Sequence, residues 1–281
     1  MPTAKQIAMR TPKYGIHADI PFTDYLAIDA VSNSYLGKLK QCPVKSQMEQ
    51  DDTKALGFGR AVHSIVLEGF CAFDKDFVVE PTDINKRTKA GKEEYAAFLK
   101  ENEDKGIITD DEFTHAINMR MAVYDHPMAK KLLAQGVTEQ TIVWTSNGVR
   151  CKSRPDALPG DETRTLVDLK TTRDASYEGF LRSVKTFGYA RQAAFYLDAM
   201  NLVKSGKVGK NRLYDAFVII AVEKEPPYMV ATYQLDDEFI ETGREEYKEL
   251  IELNRIYKKD GFYPPYQSGE LQMLEKPSWY K

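Results

Sequence analysis

Asn147-Gly148 is the feature that most limits what this chain can fold into. It stands between two strand-like runs, Thr138 to Thr145 and Val149 to Ala157. A two-residue loop of this type takes positive φ at both positions and follows the twist of the strands it joins, so it predicts a tight hairpin. A third strand is expected over Thr165 to Thr171. Helical patterning surrounds this block. Upstream, Ser32-Asn33-Ser34 supplies N-cap chemistry for a helix running into Cys42-Pro43. Ala55 to Glu68 carries Leu56, Val62, Ile65 and Val66 at helical spacing. Lys89 to Glu101 reads as a helix, Thr109-Asp110-Asp111-Glu112 has the form of a capping box, and a shorter helix is expected near Ala129 to Ala134. Downstream come a long helical stretch from Ser176 to Leu202 broken near Gly188, strands over Phe217 to Val222 and Val230 to Leu235, and a charged amphipathic helix over Asp236 to Lys259. The order predicts one α/β domain with a helical N-terminal elaboration. The expected divisions are an arm over residues 1–30, the domain over 31–260, and a tail rich in Pro and Tyr over 261–281.

Composition narrows the functional classes. The 281 residues are 29% charged and 42% hydrophobic, values of a folded globular chain rather than a disordered one. No apolar run reaches the roughly 18 residues of a membrane span, and the first ten residues lack a secretory apolar stretch. Cys42, Cys71 and Cys151 are odd in number and scattered, which predicts a reducing, cytoplasmic setting and no disulfide framework. Without a CxxC pair, neither a zinc ribbon nor a four-cysteine Fe–S site can be built. The net charge of −3 predicts that any nucleic-acid contact is a local basic surface or a metal site.

The chemistry concentrates in Lys152-Ser153-Arg154-Pro155-Asp156 and Val167-Asp168-Leu169-Lys170-Thr171-Thr172. An Asp/Glu-x-Lys triplet occurs four times, at Asp52, Glu103, Asp168 and Glu246. Only the one at Asp168 lies inside an apolar strand with a Pro-Asp upstream; the others read as solvated charge pairs. Side chains alternate along a strand, so Asp168 and Lys170 share a face while Leu169 points the other way. Asp156, at the end of the preceding strand, can reach the same side. Two carboxylates with an ammonium form an oxygen-rich patch suited to Mg²⁺ or Mn²⁺, against the plainer reading of an ion pair at a strand end. Lys86, Arg87, Lys89 and Lys92 place four positive charges in seven residues with no acid between them, either a solvated face or a phosphate contact.

Pro155-Asp156 followed by Asp168-Leu169-Lys170 resembles the signature of the PD-(D/E)xK nuclease superfamily. Gly59-Arg60-Ala61-Val62-His63 with Leu67-Glu68, and Gln192 with Tyr196, resemble the histidine helix and the Gln-x-x-x-Tyr helix of its RecB-like branch. Ser32 to Pro43 resembles the opening helix of that branch. Arg87 to Lys92 and Ile220 to Lys224 further resemble the C-terminal nuclease domain of RecE, exodeoxyribonuclease VIII, of phage and prophage type. The likeness extends from about Val31 to about Tyr257.

The resemblance implies a restriction-endonuclease-like core, a central mixed sheet flanked by helices. It implies Mg²⁺, with Mn²⁺ able to substitute, held by His63, Asp156, Asp168 and the Leu169 carbonyl, and Glu139 as a further acid. Lys170 would orient the attacking water or offset charge, and Gln192 and Tyr196 would position the substrate. It also implies digestion of linear double-stranded DNA from its ends in the 5′-to-3′ sense, leaving 3′ tails for recombination. A ring-shaped homo-oligomer and a RecT-like single-strand annealing partner in a bacterial or phage-infected cell complete the expectation. The Fe–S cluster of some RecB-like nucleases is not expected, because Cys42 lacks partner cysteines near the C-terminus. An endonuclease or single-strand nuclease of the same fold would keep every motif, and a non-catalytic DNA-end-binding protein remains the reading from a different class.

Overall fold

The computed structural model describes residues 12–18, 20–48, 54–134, 136–159, 163–206, 213–267, 269–278 and 280. In chain order its elements begin with β1 (Gly15–His17), α1 (Phe22–Ala27), α2 (Asn33–Gln41) and α3 (Lys54–His63). A π-helical turn over Ser64–Glu68 follows, then α4 (Phe70–Asp76), β2 (Phe77–Val79), α5 (Lys89–Glu101) and β3 (Gly106–Ile108). Next are α6 (Asp110–Asp125), α7 (Pro127–Leu133), β4 (Gly136–Thr138), β5 (Thr141–Ser146), β6 (Val149–Ser153) and β7 (Ala157–Pro159). The chain continues through β8 (Thr165–Thr172), α8 (Tyr177–Phe187), α9 (Tyr189–Ser205), β9 (Ala216–Glu223), β10 (Val230–Gln234) and α10 (Asp237–Asp260).

Local chemistry explains most of these boundaries. Ser32 caps α2 by accepting from the Tyr35 N–H, and Thr109 with Glu112 forms the reciprocal capping box that opens α6. Asp236 caps α10, and Gly188 in the left-handed region separates α8 from α9. The hairpin turns at Asn147 and Gly148 with φ of 48° and 76°, the positive pair that its sequence requires.

Both arms of that hairpin are interrupted, which corrects the expectation of two unbroken strands. Glu139 takes a left-handed φ of 54° between β4 and β5, and Pro155, with no N–H to give a ladder, separates β6 from β7. The inner halves join a three-stranded sheet ordered β1-β5-β6, and the outer halves join a five-stranded sheet ordered β10-β9-β8-β7-β4. The breaks stay in register with each other, since the Glu139 N–H donates to the Asp156 carbonyl at 3.1 Å. Two side chains expected near a site therefore lie at one corner, where strand pairing switches sheets.

The larger sheet is mixed. β8 and β9 run parallel, joined through α8 and α9, and the remaining pairs are antiparallel. Its two faces carry separate cores. Leu166, Phe217, Ile219 and Ala221 pack with Trp144, Phe195 and Tyr247 beneath α9 and α10. Val167, Leu169, Ile220 and Val222 pack with Val62, Ile65 and Met119 from the α3 and α6 side. The period-two split along β8 puts Asp168 and Lys170 on the α9 side.

Part of the segment expected as an arm is built into the smaller sheet. β1 pairs antiparallel with β5, and Val31 bridges to Cys151 on β6. Residues 1–11 of that arm, and Asp52 and Thr53 of the first triplet, lie outside the described residues. Among the described residues no helix is long and apolar enough to cross a membrane.

Candidate metal centre

His63 is the last residue of α3, immediately before the π-helical turn. Such turns widen a helix locally and recur at functional sites. Here the helix end points at the sheet corner. His63 Nδ1 lies 3.5 Å from Asp156 Oδ2, and one ligand atom from each of His63, Glu139 and Asp156 falls within 4.8 Å of the others.

Asp156 is fixed from below by the Leu169 N–H, which donates to Oδ2 at 2.6 Å. Glu139 receives a hydrogen bond from Arg154 Nε. Asp168, on the neighbouring strand, is 1% exposed. Its Oδ1 accepts from Gln192 Nε2 at 2.8 Å, and its Oδ2 lies 2.5 Å from Lys170 Nζ, an ion pair without hydrogen-bond geometry. Lys170 also stands over the Tyr189 ring, 5.2 Å from its centroid.

Electrostatics match a site built to receive a cation. Burial and the charge of Asp156 push Glu139 up to about 7. Burial and neighbouring Asp168 raise Asp156 well above the usual carboxylate range. Burial and the Lys170 ammonium lower His63, favouring the neutral imidazole that can ligate. Burial opposes the charge of Lys170, but Asp168 and Asp156 outweigh it and raise its pKa, so the ammonium persists. Clustered carboxylates this expensive to ionise are relieved by a positive charge placed among them.

The donor set fits a hard divalent ion. One imidazole and oxygen donors suit Mg²⁺ or Mn²⁺ better than a thiophilic metal. Ligand atoms at about 2.1 Å from one ion lie at most about 4.2 Å apart, so a slight closing of side chains would suffice. Asp168 Oδ2, paired with Lys170, is a further buried carboxylate oxygen beside the trio.

His63, Glu139, Asp156 and Lys170 face a cleft of about 2390 Å³. Tyr196 lines it one helical turn beyond Gln192, its phenol pushed up by burial. Asp168 is buried because its face of β8 is covered by α9, and Gln192, which lines the cleft, also donates to Asp168. Of the basic segment, Lys86 pairs with Glu80 and packs over Tyr95, and neither it nor Arg87, Lys89 or Lys92 lines this cleft. Basic residues that do line the cleft include Arg60 and Arg154 near the trio and Lys38, Lys258 and Lys259 on the α2–α10 side. Arg154 carried a usable signal, being directly before Pro155-Asp156; the lysines of α10 looked like any charged helix end.

The sequence matches the family described as PDDEXK-like domain of unknown function (DUF3799) over residues 32–277. This chain belongs to that PDDEXK-like family. Among solved structures it is similar to one from Eubacterium rectale described as a candidate exonuclease. The TM-score is 0.61 and the identity 14%, covering 93% of this chain and 96% of that one, a likeness of fold. An alkaline exonuclease from Laribacter hongkongensis aligns at TM-score 0.23 and 13% identity over 82% of this chain and 94% of that one, too loosely to carry an argument. No curated protein matches the sequence significantly. The mixed sheet flanked by helices is the core expected of this PDDEXK-like family.

Proposed function

We propose that this chain is a Mg²⁺-dependent exodeoxyribonuclease, with Mn²⁺ able to substitute, that degrades linear double-stranded DNA from its ends. The observation that carries the reading is the convergence of His63, Glu139 and Asp156 beside the Asp168–Lys170 pair. His63, Glu139, Asp156 and Asp168 would hold the cation. When bound, it supplies Lewis-acid chemistry, activating water and offsetting phosphate charge.

The chain's own groups do the rest. The Leu169 N–H and the Glu139 N–H fix the Pro155-Asp156 turn, so the Asp156 carboxylate arrives preorganised. Gln192 holds Asp168 at one oxygen and leaves the other toward Lys170. Lys170 keeps its proton and presents a positive charge where negative charge grows on the phosphate during attack. Tyr196 and the basic residues of the cleft would seat the DNA strand.

Action at ends is supported by the likeness of the RecE-type segments and by the activity assigned to the Eubacterium rectale neighbour. Digestion of the 5′-ended strand, a ring-shaped assembly and a RecT-like annealing partner belong to the same reading, on the strength of that resemblance. Incubating equal masses of linear and covalently closed circular duplex with Mg²⁺ tests the end requirement. The linear form should vanish while the circle persists; nicking or linearisation of the circle would replace this reading with an endonuclease.

A further inference from the structure

Three basic side chains at alternate positions, Arg150, Lys152 and Arg154, reach from the β6 arm of the hairpin to the N-terminal segment. Arg150 Nη2 donates to the Pro12 carbonyl. Lys152 is 6% exposed and uses all three ammonium donors on the carbonyls of Tyr25, Leu26 and Ile28, at 2.8, 2.9 and 2.9 Å. Arg154 Nη1 donates to the Ile20 carbonyl at 2.7 Å, while its Nε donates to Glu139. The Tyr25 ring packs against both Lys152 and Arg154, at 5.0 and 5.7 Å. Phe22 packs against Arg60, which lies three residues before His63 on α3, at 5.7 Å.

The segment is upstream of the residues that match the family, which begin at 32, yet it walls the same cleft as the trio. Glu139 needs an external hold. Its left-handed backbone falls in a break between strands, so regular pairing does not aim its side chain. Arg154 supplies the hold, and a guanidinium can do so because its rigid fork grips two acceptors at once.

We infer that the N-terminal segment from Pro12 to Val31 is a structural part of the cation site, fixing Arg154 and, through it, Glu139. The inference rests on the metal-dependent reading above. Arg154 is thus a positioning residue, and Lys152 acts one step further away by keeping the segment docked without touching the trio.

The test is Mn²⁺ binding to the full-length protein by titration calorimetry, without DNA, for the wild type, Lys152→Met and Arg154→Lys, with near-UV circular dichroism as the folding control. Arg154→Lys keeps a positive charge beside Glu139 but cannot span Glu139 and Ile20, so it separates geometry from charge repulsion. Both variants should bind Mn²⁺ about tenfold or more weakly, the range seen when groups that orient ligands are lost. Lys152→Met should also be cut faster by trypsin after Lys13. Wild-type Mn²⁺ affinity in both variants overturns the inference and leaves the nuclease reading standing. No Mn²⁺ binding by the wild type overturns both. Arg154→Lys decides if Lys152→Met fails to fold or the two disagree.

Discussion

The Leu169 N–H donates to Asp156 Oδ2 at 2.6 Å, joining two residues thirteen apart in sequence where β7 meets β8 in the larger sheet. The bond converts the Pro-Asp turn from a loop into part of β8's framework. It lets a buried carboxylate keep one fixed acceptor direction while its environment resists ionisation. The spacing between the Pro-Asp and Asp-x-Lys elements thus has a structural cause: β7 turns back antiparallel onto β8 at Ala157 and Val167.

Asp168 separates charge from scaffold. Asp168→Ala leaves Lys170 without its nearest partner at a mostly buried position and removes the acceptor for Gln192, so it should destabilise by about 3 kcal/mol or more. Asp168→Asn keeps an acceptor for Gln192 and should fold nearly as well as the wild type, yet cut DNA at least about a hundredfold more slowly. Thermal melts beside single-turnover digestion check both; wild-type cutting by Asp168→Asn would remove Asp168 from the site.

Glu139 links the site to pH. Its pKa of about 7 lies above the ordinary 4.5, so the native state holds this proton more tightly than the unfolded chain does. The stability contributed is fully present below the unfolded value and is lost as pH rises through the folded one. In EDTA, Glu139→Gln should therefore gain stability relative to the wild type as pH rises from about 4.5 to about 7, then level off. Mn²⁺ should restore wild-type stability above that window. A difference between the two melting temperatures that does not change with pH contradicts the assignment.

Basic charge around the cleft should control affinity. Lys258→Gln with Lys259→Gln should reduce the slope of log affinity against log salt by about two for duplex DNA, if both meet phosphates. Arg87→Gln with Lys89→Gln and Lys92→Gln, lying off the cleft, should change it less. Filter binding at several salt concentrations distinguishes the two sets; the reverse ranking would return the DNA path to the α5 side.

Gly243 tests how α10 covers the site helix. A Cβ there would meet the Ala190 carbonyl oxygen at 2.1 Å, so α9 and α10 touch backbone to backbone. Gly243→Ala should cost about 1–3 kcal/mol by overpacking. Because α9 carries Gln192, DNA cutting should also fall in the surviving folded fraction. A neutral melting temperature would mean that the two helices sit further apart.

Local signals were readable where they are chemically self-contained. The caps at Ser32 and Thr109, the Asn147-Gly148 turn and the strand bearing Asp168 all declare themselves through residues a few positions apart. What stayed hidden depends on distant partners. The break at Glu139 has no local signature, because a glutamate at positive φ is held there by Arg154 and by the Asp156 carbonyl. The burial of Asp168 follows from α9 lying over β8, which no strand periodicity contains. The pairing of Lys86 with Glu80 and its packing over Tyr95 likewise cannot be read from a run of charges. The π-helical turn that ends at Glu68 reads as ordinary helix in sequence.

The most direct measurement of the central claim is digestion of end-labelled linear duplex by the wild type and by Asp156→Asn, each with Mg²⁺ and with EDTA. Asp156→Asn preserves an acceptor for the Leu169 N–H and removes only the charge offered to a cation. The account predicts release of label by the wild type with Mg²⁺ alone, and a loss of about a hundredfold or more in the variant at unchanged fold. Equal digestion in EDTA, or undiminished digestion by Asp156→Asn, would contradict it.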